Sequence, residues 1–296
     1  MKIGSVTCVG FAAFFLLVAS CSTPPPPPPA PPAPVAVAPV AAPELPKFVD
    51  MVTNEPLPLT IKTFYPNGDP SGTVTSTYNE TGQLLTQETT NANGTVVETR
   101  AGKAKGELWR VSVTNAQTGE LVSFEDSSYS PEGDLLTQTN LSPKEIPLSS
   151  NEYTWQYGNK TQWVTKLGAT LAVQSKAVYL YDADGRNTRV EVYDAGNNLL
   201  TTFESQYDAT GHLLVRKGVD AKETLVEQVN FTWKGDQKVK EETLKPLLRT
   251  LEFTYSDSST APATINTSVR GRLVERQVRT YLWIKYTHRV PNKERK

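Results

Sequence analysis

Asp182-Ala183-Asp184-Gly185 sets two carboxylates one residue apart ahead of a glycine. Such a segment can open a loop whose oxygens converge on a hard cation such as calcium. A calcium loop continues to a distant Glu, whereas here Arg186 and Arg189 follow and a strand pattern resumes at once. The Asp and Gly are therefore read as turn formers, and no metal is assigned. The chain holds two histidines, His212 just after a turn glycine and His288 in a basic C-terminal stretch. A dyad or zinc site needs companions that the sequence does not gather around them. Five tryptophans (Trp109, Trp155, Trp163, Trp233 and Trp283) and twelve tyrosines could line a ligand groove, but core and cross-strand packing is the commoner use of such rings. No phosphate-cradling glycine loop, nucleophile elbow or metalloprotease helix is present in the sequence. No catalytic residue and no cofactor is assigned, and the chain is read as a non-enzyme.

The remaining reactive residue is Cys21, which closes the run Leu17-Val18-Ala19-Ser20-Cys21. An apolar stretch from Ile3 to Val18 precedes it, with Lys2 as the only charge. A basic start, an apolar centre and small residues before the cut mark a processed signal. Ser5, Thr7 and Gly10 interrupt these 16 residues, and a comfortable membrane span needs about 20 predominantly apolar ones. The ending resembles a bacterial lipoprotein signal. That resemblance implies removal of residues 1–20 and lipidation of Cys21 as the first residue of the mature protein. Ser22 in place of Asp implies, on the same resemblance, an outer-membrane address, either periplasmic or surface-exposed. Stable attachment takes at least two acyl chains, which a triacylated cysteine supplies. Cys8 would leave with the signal, so no disulfide or free thiol would remain.

Residues 21–46 read as a tether, with Pro24 to Pro29 unbroken and a Pro/Ala/Val mixture up to Pro46. Proline lacks the backbone donor and fixes φ, so such a stretch extends as polyproline II without a core. At about 3.1 Å per residue it would reach roughly 75 Å. Thirty basic side chains less Lys2 leave 29 against 31 acidic ones, a net charge of −2 for the mature chain. That balance lacks the segregated positive field of a nucleic-acid-binding protein. The one basic cluster is the tail at 289–296, from Arg289 to Lys296, read as a solvated end.

The segment from 47 to 288 is read as one β domain, because a turn motif recurs along it. Tyr78-Asn79-Glu80-Thr81-Gly82-Gln83-Leu84 is echoed by Tyr129-Ser130-Pro131-Glu132-Gly133-Asp134-Leu135 and by Tyr207-Asp208-Ala209-Thr210-Gly211-His212-Leu213. Tyr181-Asp182 leading to Gly185 and Tyr193-Asp194 leading to Gly196 lie between, with weaker copies around Gly68, Gly94 and Gly119. In each copy an aromatic ends a strand, polar residues make the turn, the glycine takes φ > 0, and an apolar pair starts the returning strand. Gly82, Gly94, Gly119, Gly133, Gly185, Gly196 and Gly211 are the expected turn glycines. The motif resembles the YD repeats of the Rhs-type family, over roughly residues 64–217. The resemblance implies a β-sheet and a class of surface proteins; the stretch is too short to enclose a cargo as large shells do, and no toxin segment follows it.

Downstream, Val229, Phe231 and Trp233 alternate with polar residues, as do Leu251, Phe253 and Tyr255. Period-two patterning marks strands with one covered face. The final strand carries apolar residues on both faces and is expected to be central, while Lys238–Leu244 suggests a short helix. The expected fold is all-β: an open, curved antiparallel sheet of tandem hairpins with a thin core, or alternatively a partly closed β-barrel. The expected function is a lipid-anchored cell-envelope protein that binds or scaffolds protein or glycan partners through its sheet surface, without nucleic acid. The alternative is a lipid or lipoprotein carrier, which requires a continuous Val, Phe, Trp and Leu lining open to solvent.

Overall fold

A computed structural model describes residues 48–256 and 259–291. The signal, Cys21 and the tether lie outside the described residues, as do 292–296 of the basic tail. The β unit spans Pro46–Lys296. Its eighteen strands are β1 (Phe48–Phe64), β2 (Pro70–Tyr78), β3 (Leu84–Asn91), β4 (Val96–Lys105), β5 (Leu108–Asn115), β6 (Leu121–Tyr129), β7 (Leu135–Leu141), β8 (Pro147–Gln156) and β9 (Asn159–Leu167), followed by β10 (Ala172–Tyr181), β11 (Asn187–Asp194), β12 (Leu199–Tyr207), β13 (Leu213–Asp220), β14 (Leu225–Lys234), β15 (Gln237–Lys245), β16 (Arg249–Thr254), β17 (Thr264–Val269) and β18 (Arg272–Pro291). No helix occurs among the described residues. Every strand pairs antiparallel with its chain neighbours, and β1 also pairs with β18. The result is a closed up-and-down barrel.

Closure corrects the open-sheet expectation and goes further than the partly closed alternative. Thr60–Phe64 of β1 pair with Thr75–Pro70 of β2 on one side and with Thr280–Arg276 of β18 on the other. An open sheet would leave both terminal strands with unpaired backbone groups, and mutual pairing satisfies them. The last strand is central only up to the barrel wall. Beyond Thr280 it pairs with β1 alone, as Phe48–Pro58 run against Pro291–Tyr281 in a two-stranded arm. Eleven residue pairs at about 3.3 Å each give the arm a length of roughly 35 Å. Arg289–Pro291, assigned above to the tail, are part of β18.

Lys238–Leu244 lies in strand β15, not in a helix. Its alternating Lys and Glu form ion pairs within the strand, Lys238–Glu241 at 2.8 Å and Lys240–Glu242 at 2.9 Å, while β14 and β16 supply the ladder on both sides. Sheet context overrides a weak helical propensity here.

Up-and-down connectivity puts turns alternately at two rims. The upper rim, where the arm projects, holds the turns at 79–83, 106–107, 130–134, 157–158, 182–186, 208–212 and 235–236. All but three hairpins (β4–β5, β15–β16 and β16–β17) carry a bulge just after the turn. The bulge explains the apolar pairs of the repeat. In Leu84-Leu85, Leu135-Leu136 and Leu213-Leu214 the first leucine opens the ladder and the second is the unpaired bulge residue. The second of each pair is solvent-exposed. One-layer walls keep the core thin, and among the described residues no large side chain is fully buried.

Candidate functional site

Gly82, Gly94, Gly119, Gly133, Gly185 and Gly211 take positive φ, from 74 to 94°. Gly196 does not; Asn197, one residue on, takes φ 65° instead. Asparagine tolerates the left-handed region through its short polar side chain, so the turn after Tyr193 keeps its shape with a shifted residue. The polar residue following each aromatic caps its turn. Asp208 Oδ1 accepts from the amides of Thr210 and His212, each at 2.9 Å, and Asp182 Oδ1 accepts from those of Asp184 and Arg186. Asn79 and Ser130 do the same in their copies. Asp182 also accepts from Arg186 Nε at 2.7 Å, and Asp184 pairs with Arg186 at 3.0 Å. The carboxylates of the calcium-like segment are thus used by the turn and by one arginine. Hydrogen bonds from the Thr210 hydroxyl and the turn amides hold the Asp208 carboxyl down at about 2.

His212 follows this turn and stacks on Trp233 at 4.6 Å between ring centroids. Its Nδ1 lies 2.9 Å from Thr210 Oγ1 and its Nε2 3.3 Å from Asp236. The contact ties the 208–212 turn to the next turn of the upper rim. It is a packing role rather than a gathered acid–base site. His288 lies in β18, and its side chain is outside the description.

Sequence reasoning missed the task of the aromatics. At the upper rim, a bulge at the start of an odd strand ends its ladder with the following even strand, leaving a main-chain carbonyl there without a ladder partner. An aromatic donor at the end of the next even strand supplies one: Tyr78 Oη to Pro58, Tyr181 Oη to Lys160, Tyr207 Oη to Asn187, and the indoles of Trp155 and Trp233 to Leu135 and Leu213, at 2.7 to 3.0 Å. Tyr255 and Tyr281 repeat the bond to Lys238 and Pro262. Trp109 reaches across β4 to Leu84 at 3.1 Å, and it passes where Gly102 has no side chain. A Cβ there would lie 1.8 Å from the Leu84 oxygen and 2.8 Å from the indole nitrogen. The signal was present as a 26-residue interval through Trp155, Tyr181, Tyr207 and Trp233. It spans one hairpin, twice the strand-to-strand spacing.

Arg110 was also missed. Its side chain is 5 % exposed, pairs with Asp126 directly across the β5–β6 ladder at 2.6 Å, and lies over the Phe124 ring. Glu145, from the 142–146 turn, bonds it at 2.7 Å and also takes Lys105 at 3.0 Å. The Arg110 and Lys105 cations hold the Glu145 carboxyl at about 2, well below its ordinary 4.5. This cluster is a latch between the β7–β8 turn and the neighbouring wall.

Register divides the wall into two faces. One carries Thr75, Thr77, Glu88, Lys103, Glu204 and Glu252, all exposed. The other, more sheltered, carries the aromatic donors with Val111, Val229 and Ile265, but is crossed by Arg100, Glu125, Arg216, Glu227, Glu241 and Arg279. Cations cover its rings: Lys160 sits 4.6 Å from Tyr179, Arg216 5.7 Å from Phe203 and Lys238 4.7 Å from Phe253. Neither face forms a continuous apolar band among the described strands.

The arm presents a different chemistry. Outside the barrel, the far edges of β1 and β18 have no strand partner among the described residues. Pro56 and Pro58 guard the β1 edge by removing donors, whereas β18 holds no proline from Leu282 to Val290. Leu282 and Trp283 are 36 and 42 % exposed on that segment, and Ile284 is buried.

No family model matches the chain, and no curated protein matches it. Among solved structures it is similar to a porin-like protein from Bacteroides uniformis, at 10 % identity over 76 % of this chain and 98 % of that one, with a TM-score of 0.42. A porin-like protein from Bacteroides vulgatus gives 7 % identity, 77 and 99 % coverage and a TM-score of 0.37. TcdB2-TccC3 gives 12 % identity over 76 % of this chain and a TM-score of 0.28, with 17 % of its own length covered. At these scores the likenesses carry no functional argument. The chain is defined by its own geometry as a closed, bulge-punctuated antiparallel barrel with a projecting two-stranded arm.

Proposed function

We propose that this is an envelope protein, anchored by a lipidated Cys21 in the outer membrane, that binds partners through its arm and acts by contact rather than catalysis. The observation that carries the reading is the open β18 edge from Leu282 to Val290, which holds no proline, whereas Pro56 and Pro58 interrupt the β1 edge of the same arm. An extended peptide can add to such an edge through main-chain hydrogen bonds, with exposed side chains such as Leu282 and Trp283 giving preference. The barrel behind it is a rigid mount. The carrier reading is disfavoured, because charged residues interrupt both faces of the wall and cations lie over the sheltered rings. A lipid-facing band of the kind a membrane barrel needs is not formed by these strands either.

The test places a photo-crosslinking residue at Trp283 in cells, with a second chain carrying it at Glu252 on the barrel wall. Crosslinks to a protein partner are expected from position 283 and not from 252. Alternate amides of β18 point away from β1, and Trp283, opposite the donor-less Pro56, is one of them, so Trp283→Pro removes an outward donor and should abolish capture by an independent crosslinker at the exposed Lys285. Cys21→Ala should weaken capture by removing the effective concentration that anchoring provides. Equal crosslinking from 283 and 252, or capture at 285 indifferent to Trp283→Pro, would overturn the reading.

A further inference from the structure

The rim opposite the arm carries a patch that the proposed function does not use. Residues 244–249, Leu-Lys-Pro-Leu-Leu-Arg, and 270–274, Arg-Gly-Arg-Leu-Val, are exposed at every position. They form the neighbouring β15–β16 and β17–β18 turns, joined by the bond from the Arg270 amide to the Leu248 carbonyl at 2.9 Å. The Arg249↔Val269 and Val269↔Arg272 pairs bring the two stretches side by side. Leu244, Leu247, Leu248, Leu273 and Val274 are each 40 to 42 % exposed. Lys245, Arg249, Arg270 and Arg272 stand among them, and the three arginines have no carboxylate partner among the described residues. The two stretches contain no acidic residue; the flanking turns contribute Asp69 and Glu223.

We infer that this patch seats on an anionic lipid surface. Leucines clustered on turn tips leave apolar area in water that a bilayer interface can cover, and arginines at the same level can pair with lipid phosphates. A protein partner matched to the patch would have to cover five apolar side chains and also offer carboxylates to three arginines. A headgroup layer above acyl chains presents that order of chemistry along one axis, with phosphates outermost and hydrocarbon beneath.

The test uses the full chain with Cys8→Ser and Cys21→Ser, and a single environment-sensitive fluorophore at Leu248→Cys. A twin chain carries the fluorophore at Leu214→Cys, an exposed bulge residue on the opposite rim. Vesicles of phosphatidylcholine alone are compared with vesicles containing phosphatidylglycerol. A blue shift is expected at position 248 on the anionic vesicles and not at 214. Arg270→Glu with Arg272→Glu should raise the anionic lipid needed for half of that shift by about tenfold or more, and the Arg270→Lys, Arg272→Lys pair should restore it. A 248 probe that stays in water on anionic vesicles, responds as strongly on neutral ones, or shifts no more than the 214 probe would overturn the inference. The arm is untouched throughout, so failure here is separate from failure of strand addition.

Discussion

At the residue scale, the ionised groups with the strongest constraints serve the wall itself. Arg110 is sheltered by Phe124 and held by Asp126 and Glu145 together, and its guanidinium geometry suits two carboxylates at once. Glu145 is half exposed, so solvent screens the pair and its contribution is small in absolute terms. Its pH dependence is nevertheless distinctive. A carboxyl whose folded value is lowered from 4.5 to about 2 lends stability that is complete above pH 4.5 and is lost as pH falls toward 2. Glu145→Gln should therefore melt below the parent at pH 7, with the two curves converging as pH falls to about 2. Thermal melts across this range check it, and a constant difference at all pH values would remove the ion pair as the cause. None of this was legible in the sequence, because Arg110, Asp126 and Glu145 stand far apart in the chain and only the ladder register and the β7–β8 turn bring them together.

At the element scale, the hairpin was legible and its sutures were not. Tyr-Asp-Ala-Thr-Gly-His-Leu at 207–213 spells a strand end, a capped turn and a return, all decided by neighbours within a few residues. The split of Leu213-Leu214 into a ladder residue and an exposed bulge was hidden, since period-two reasoning assigns both to the strand. The bulge accounts for the conserved geometry of the aromatic bond from copy to copy. In β11 the bulge residue is Thr188; it ends the β11–β12 ladder at Arg189↔Glu204 and leaves the Asn187 carbonyl for Tyr207. Tyr207→Phe keeps the ring and removes only the donor. It should cost about 1 kcal/mol, or roughly 2 to 4 °C in Tm for a domain of this size. Tyr65→Phe, on an exposed lower-rim turn, is the control and should leave the melt unchanged. Equal shifts for the two variants would show that the Asn187 carbonyl does not depend on the hydroxyl.

At the scale of the whole molecule, the strands of seventeen hairpins pair only with their chain neighbours, and one seam joins the two ends. A linear array of this kind loses cooperativity as a solenoid does, whereas a ring must break at two places before a segment can leave. The β1–β18 seam is the single long-range pairing that turns the array into a ring, and it was the part of the fold that local sequence pattern could not express. Alternation in 276–280 predicts a strand, but nothing in those residues names Thr60–Phe64 as its partner more than 200 positions earlier. Ile61 lies at the centre of the seam, opposite Arg279 on β18 and Val74 on β2. Proline at this position cannot donate to a ladder that is paired on both sides, and the expected cost is about 3 kcal/mol or more. That corresponds to a fall of roughly 6 to 12 °C in Tm. Because the damage falls on closure, the far-UV spectrum at low temperature should stay β-rich while the radius of gyration in solution scattering rises as the ring opens. An Ile61→Pro chain that melts earlier with no change in size would mean that β2 alone holds β1 and that closure adds little. An unchanged melt would mean that the seam does not form, and that the sheet stays open in solution.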